Sequence, residues 1–344
     1  MNSANRQWRL ASYPDGMPTE DNWAISEGPI PEAGPETVLV KAIYLDVAPY
    51  MRGRISPQQN YTAGVRPGDL MVGGAIGQVV DSKADDYPVG QLVVTSNFGW
   101  QEYAVLKPTT MRKVDAEIAP LPCWFDFMGT NGVTAYFGLV EVGGMKAGDT
   151  VVISAAAGSV GQIAGQIAKL SGCRVIAITS SEQKLARCRQ IGYDDGINYR
   201  TEPDLSAAIA RVCPDGVDVY FDNTAGPIHD AVMQNLATFA RIIVCGTVSL
   251  ADRFEQPDIG ERFLRRVLVS RARIQGFISS DFQHRHQEGW SRLIDWYQQG
   301  KLKCEYDIVE GISNMPSAFL RLLTSQNLGK QLVQVSRPPG GRPS

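Results

Sequence analysis

The stretch TVVISAAAGSVGQIAGQIAKLSG (150–172) decides the fold. Its first five residues form an apolar, β-branched run of strand character. After the turn, Val160, Ile163, Ile167 and Leu170 recur at helical spacing. A strand running through a glycine-bearing turn into a helix is the context that a dinucleotide fingerprint requires. Glycines let the backbone approach a pyrophosphate, whose charge meets the free N–H groups of the helix N-terminus. Against the pattern GxGxxG, Ala156 stands for the first glycine, while Gly158 and Gly161 fill the other two places. So degenerate a motif also fits a plain glycine-permitted turn; the second strand RVIAIT (174–179), at the right distance, tips the reading to a nucleotide site.

The end of that second strand speaks to which nucleotide. An NAD-type site places Asp or Glu there to accept from the ribose hydroxyls, but this chain has Thr179, Ser180 and Ser181, with Lys184 one turn into the next helix. A 2′-phosphate would be repelled by an acid and would suit Lys184 with hydroxyl donors, at ~1.5–3 kcal/mol per charge-assisted bond. NADP is therefore favoured, with Glu182 as the residue that keeps NAD open. The bland alternatives are a capping box of Ser180 with Gln183 and a solvated Lys184.

Outward from this core, strand and helix alternate from about 130 to 300: SEQKLARCRQIG after RVIAIT, DVYFDN then HDAVMQNLAT, and RIIVCGT then a longer helical stretch. This alternation predicts βαβ units and a parallel sheet. Before residue 122 the runs ETVLVKAIYL (36–45), MVGGAIGQVV (71–80), GQLVVTSNF (90–98) and WQEYAVL (100–106) read as strands. EYDIVEG and KQLVQV, flanking a helix at MPSAFLRLLTS, return the chain to β-rich structure, and the last eight residues, RPPGGRPS, read as a disordered tail.

Composition excludes other classes. The 344 residues are 44% hydrophobic and 20% charged, which suits a globular chain and neither a coiled coil nor a disordered one. Net charge is −3, without a run of like charges, so no footprint for nucleic acid is present. MNSANRQWRL lacks an apolar signal region, and residues 151–168 carry Ser154, Ser159, Gln162 and Gln166; a cytoplasmic protein with no membrane span is expected. The six cysteines include no CxxC pair. The three histidines are His229, His284 and His286, so no Cys/His zinc site of the usual kind can be assembled from the first 228 residues.

Several ordered motifs resemble the zinc-independent medium-chain dehydrogenase/reductases, and within them the NADPH-dependent double-bond reductases: AIYLDVAPYMRGR (42–54), GDLMVGGAIGQVVDS (68–82), GTNGVTAYFGLVEVG (129–143), SAAAGSVGQIAGQIAKLSGCRVI (154–176), INYRT (197–201), YFDNTAG (220–226) and NLGKQLVQV (327–335). The resemblance runs from about residue 20 to 335. It implies an α/β architecture: a GroES-like β-rich domain formed by both chain ends (1–126 with 303–344), a Rossmann domain with a doubly wound parallel sheet (127–302), and an active site in the cleft between them. Carried over residue by residue, Gly158, Ser159, Val160 and Gly161 would hold the pyrophosphate, with Ser181, Lys184 and Tyr199 at the 2′-phosphate. Asn223, Cys245, Gly246, Thr247, Phe277, Ile278 and Asn327 would line the rest of the cofactor. Each of these also has a structural reading as core or turn.

The implied reaction is conjugate reduction of an α,β-unsaturated ketone or aldehyde by NADP(H), without metal, with Tyr50 and Tyr61 as candidate hydrogen-bond donors to the enolate oxygen. Two departures stand out. Relatives usually have Asp-Pro-Tyr where this chain has Ala48-Pro49-Tyr50, and often a tyrosine at the place of Ala251, which would leave room for an aromatic ring in the substrate pocket. A quinone reductase is the competing enzyme, a non-catalytic NADP(H)-binding protein the competing class, and a homodimer the expected assembly.

Overall fold

The computed structural model describes residues 4–339 and divides into two compact units. One comprises residues up to Phe125, Asp252–Glu255 and the chain from Tyr306; the other comprises Asp126–Ala251 and Gln256–Glu305. Residues 340–344 of the expected tail lie outside the described part.

In the second unit six parallel strands lie in the spatial order 195–198, 174–179, 150–154, 217–222, 236–244, 273–276. Taken in chain order this is the 3-2-1-4-5-6 arrangement of a Rossmann sheet, whose direction of winding reverses between Thr150–Ser154 and Val217–Asp222. Val152, Ile176, Ile178, Tyr220 and Ile242 are buried in a core shared with the helices Leu205–Val212 and Gly226–Met233. Two expectations are corrected here. The helix begun at Gly226 stops at Met233, and Leu236, Ala237 and Thr238, read as helical, open the strand Leu236–Val244. The single long helix expected after 247 is split by the edge strand Arg273–Gly276, so that helices Leu264–Ser270 and His286–Gln298 flank it.

The first unit holds a seven-stranded sheet in which 330–334 lies between 306–310 and 38–46, followed by 75–82, 92–95 and 112–113, with 103–106 also pairing with 38–46. A separate hairpin pairs Ala4–Leu10 with Trp23–Pro29, two strands that the alternation of the sequence does not reveal. Trp23, Trp100 and Phe319 meet at ring separations of 5.7 to 6.0 Å in its core. Lys330, 3% exposed, pairs with Asp46 and donates to Val47 O at 2.9 Å.

At the reversal point of the parallel sheet, a single carboxylate organises the turn. Asp222 is 1% exposed. Its Oδ1 accepts from Tyr220 Oη and from the N–H groups of Thr224 and Ala225, each at 2.9 Å, and its Oδ2 lies 2.8 Å from His229 Nδ1. Ala225, the residue so held, has φ 58 and ψ −159, a region otherwise left to glycine that costs about 1–3 kcal/mol.

Burial alone would lower the His229 pKa, but the hydrogen bond to Asp222 and the charges of Asp222, Asp230 and Asp258 outweigh it and raise the value above 6.5. Burial alone would raise that of Asp222, yet hydrogen bonds from His229 and the Ala225 and Thr224 N–H groups, with the imidazolium charge, hold it below 3.8. The His229 contribution is therefore fully present below pH 6.5 and lost as pH rises through the raised value. That of Asp222 is present above pH 3.8 and lost as pH falls through the lowered one. We expect the difference in Tm between wild type and His229→Gln to be large near pH ~6 and to shrink toward pH ~9, as read by calorimetry; a difference independent of pH would refute the charged pair.

Candidate functional site

The helix Ser159–Leu170 starts from Gly158, which has no side chain to cap it, and its first internal bond runs from Gln162 N to Gly158 O at 2.9 Å. The N–H groups of Ser159, Val160 and Gly161 thus lack carbonyls within the helix, as an anion site requires. Gly161 has to be glycine: a Cβ there would lie 2.4 Å from Ala155 O and 2.8 Å from Ala156 Cα. The strained residue of the turn is Ala155, with φ 48. The sequence motif points to position 156 for conformational freedom, whereas the backbone requires it one residue earlier. This bare helix end beside a glycine-permitted close approach fits a dinucleotide pyrophosphate.

Beneath it lies a residue that sequence reading misses. Asp126 is fully buried; it accepts from the Ser159 hydroxyl and from Gln162 Nε2 at 3.4 Å, while Asn131 Nδ2 donates to Ser159 Oγ at 2.7 Å. The Ser159 side chain is thus engaged inside the unit, leaving its backbone N–H for a ligand. A lone carboxylate within the apolar run LPCWFDFM (121–128) is the available signal.

At the neighbouring strand end, Asn198 pairs in register with Thr179, which brings Tyr199 beside the Ser180–Ser181 turn. Ser181, not Ser180, caps the helix Glu182–Gln190, its Oγ accepting from Lys184 N at 3.3 Å. The alternative of a Ser180–Gln183 box is thereby excluded: Ser181 is extended and Glu182 is already helical. Glu182 accepts from Asn198 Nδ2 at 3.2 Å and lies in the first turn, where the helix dipole favours an acid. Tyr199 N donates to Thr179 O at 3.0 Å. Ser181, Lys184 and Tyr199 are therefore gathered at one carboxyl edge of the sheet.

Asn223 stands at the reversal point, with Nδ2 donating to Ser154 O at 2.8 Å. Cys245 and Gly246 follow the adjacent strand, both N–H groups bonded to Asp222 O, and burial with the Asp222 charge pushes the Cys245 thiol up to about 12. Thr247 precedes the short turn Val248–Leu250, and Ala251, which closes it, is 3% exposed. Phe277 packs near Gly138 and Phe221, whereas Ile278 is exposed.

The remaining candidates belong to the first unit. Asn327 donates its amide to Gly329 O at 2.9 Å, the contact of a local turn. Tyr50 precedes the short helix Met51–Arg54; burial, then the Asp46 charge, raises its pKa above the ordinary tyrosine value, so the phenol keeps its proton. Asp46, four residues upstream, is thus a carboxylate near Tyr50 despite Ala48 in the Asp-Pro-Tyr position. Tyr61 is 61% exposed. Among the described residues no group of three or more His, Cys, Asp or Glu is placed to hold a metal ion.

Family models match both parts of the chain: "N-terminal domain of oxidoreductase" over residues 6–114 and "Zinc-binding dehydrogenase" over residues 159–299. The NADPH-dependent curcumin reductase of Escherichia coli (strain K12) is 36% identical over 338 residues, 96% of this chain and 97% of the relative. The 2-alkenal reductase (NADP(+)-dependent) of Nicotiana tabacum is 36% identical over 340 residues, 97% of this chain and 98% of the relative. Among solved structures, CurA from Vibrio vulnificus in complex with NADPH superposes with a TM-score of 0.91 at 38% identity, covering 97% of this chain and 100% of that one. Identity at this level over nearly the whole length, on a shared fold, shows that the chain belongs to the zinc-independent medium-chain dehydrogenase/reductases, in the branch of NADPH-dependent double-bond reductases.

Proposed function

We propose that this protein, an NADP-dependent oxidoreductase acting on carbon–carbon double bonds, reduces the conjugated double bond of α,β-unsaturated ketones and aldehydes. The observation that carries the finer reading is Tyr50, a half-buried phenol at the start of the helix Met51–Arg54 that is a hydrogen-bond donor at neutral pH. When bound, NADPH supplies hydride to the β-carbon of the acceptor. The bare N–H groups of Ser159, Val160 and Gly161 hold the pyrophosphate, and Ser181, Lys184 and Tyr199 hold the 2′-phosphate. Asn223, Cys245, Gly246, Thr247, Phe277 and Ile278 line the remainder. Negative charge develops on the carbonyl oxygen as the β-carbon is reduced. Tyr50, with Tyr61, donates a hydrogen bond to that oxygen, and protonation at the α-carbon completes the reaction. A conjugated acceptor needs no Lewis acid for this step.

The reading includes a homodimer in the cytoplasm. Support for the dimer comes from the edge strand Arg273–Gly276, which is exposed with Ile274, beside Leu264, Leu268 and Val269 on the neighbouring helix. An exposed edge with apolar neighbours is a template for pairing with another copy. Sedimentation is expected to give twice the chain mass of 37.5 kDa.

Lys184→Ala is expected to weaken NADPH binding by ~10–100-fold, from the loss of ~1.5–3 kcal/mol, and to leave NADH binding nearly unchanged. Equal preference of the wild type for the two nucleotides would overturn the 2′-phosphate assignment. Tyr50→Phe is expected to lower kcat on an enone by ~10²-fold with NADPH affinity retained. The assay follows NADPH absorbance against enones, enals and quinones, on protein chelated exhaustively beforehand; turnover of quinones alone, or its loss on chelation, would refute the proposal.

A further inference from the structure

Asp252–Glu255 depart from the parallel-sheet unit and belong to the first unit, where several contacts fasten them. Arg52, 2% exposed, donates from both terminal nitrogens to the Glu255 carboxylate, at 3.0 and 2.8 Å, and from Nη2 to Gly16 O at 3.1 Å. Gln58 Nε2 donates to Glu255 O at 2.8 Å. The Arg52 guanidinium carbon lies 5.1 Å from the centre of the Phe254 ring. A guanidinium this buried requires its carboxylate, because an unpaired charge in that place is strongly destabilising. The bidentate fork also fixes direction as well as distance, so the residue before Glu255 is aimed along with it.

The next residue, Gly53, explains how closely the segment seats. A Cβ there would lie 3.0 Å from Phe254 Cζ and 2.2 Å from Asn60 Nδ2, so the missing side chain is the room that both occupy. Asn60 Oδ1 in turn accepts from Tyr61 N at 2.7 Å. Four consecutive residues thus carry the Tyr50 phenol, the Arg52 anchor and the Gly53 seat, on which Phe254 and the segment leading to Tyr61 both rest.

We propose that Asp252–Glu255 form a specificity strap, in which Phe254 is a specificity-determining residue offering an aromatic face to planar conjugated acceptors beside Tyr50 and Tyr61. Arg52, acting through Glu255, is the positioning residue. The proposal rests on the enone-reductase reading. Position 251 is an alanine, and the aromatic ring of this stretch stands three residues later, on a segment held by an ion pair.

The test uses the full-length enzyme with NADPH and two acceptors, methyl vinyl ketone and 4-phenyl-3-buten-2-one. Phe254→Ala is expected to raise KM for the phenyl enone by about tenfold, with a rise for methyl vinyl ketone several times smaller. Glu255→Ala, which keeps the ring but frees the strap, is expected to do the same, and Glu255→Gln, which keeps an acceptor for the guanidinium, to recover part of the discrimination. Because both changes remove one device, the double variant Phe254→Ala/Glu255→Ala should be no worse than Phe254→Ala alone. Dissociation constants for NADPH, by fluorescence titration, should stay at the wild-type value. Additive effects, equal losses on both acceptors or a weakened NADPH complex would overturn the strap. Wild-type protein that turns over neither acceptor would instead overturn the enone-reductase reading, and the strap's role with it.

Discussion

The Asp222 carboxylate is the constraint on which the nucleotide-binding unit is built. It ends the strand at which the sheet reverses its winding, and it is satisfied from four sides by Tyr220, Thr224, Ala225 and His229. A buried anion with so many donors cannot be exchanged for water at a small cost, because every donor would be orphaned at once. This is why Ala225 can remain in a backbone region that alanine otherwise avoids: the N–H that holds it there is bound to the same oxygen. The carbonyl of Asp222 also fastens Cys245 and Gly246, so the two loops at the carboxyl ends of neighbouring strands share one point of attachment.

The first unit follows a related rule with the charges inverted. Among its described residues two deeply buried cations, Arg52 and Lys330, each meet a carboxylate, and each pair ties residues far apart in sequence. Asp46 serves twice, pairing with Lys330 and adding to the burial that raises the pKa of Tyr50.

Much of this is legible in the sequence because it is local. TVVIS followed by a glycine turn and a helix with apolar residues at the proper spacing can fold in few ways, and the strand RVIAIT specifies its neighbour. The helix beginning at Gly226 reads too long in sequence because Leu236, Ala237 and Thr238 fit a helix as well as a strand; tertiary pairing with Val217–Asp222 decides for the strand. The hairpin of Ala4–Leu10 and Trp23–Pro29 escapes because polar residues interrupt both strands. Asp126, Asp222 and Arg52 carry no periodic signal at all: their roles arise from partners 33, 7 and 203 residues away. Family resemblance supplies the nucleotide residues, whereas the Arg52–Glu255 pair arises from side chains that the fold alone brings together.

The sheet of the first unit has a bearing on how the protein is made. Strand Lys330–Gln334 sits between Tyr306–Glu310 and Val38–Asp46, so a central position in a sheet begun by the first hundred residues is filled by some of the last. A ribosome delivers the chain from its N-terminus, and until the last strand emerges the Tyr44–Asp46 end of strand Val38–Asp46, which pairs with Leu332–Gln334, is bare along that edge and Asp46 is without its lysine. The parallel-sheet unit, contiguous from Asp126 to Ala251, can collapse in the meantime. The N-terminal sheet is therefore completed only when the last strand has been made.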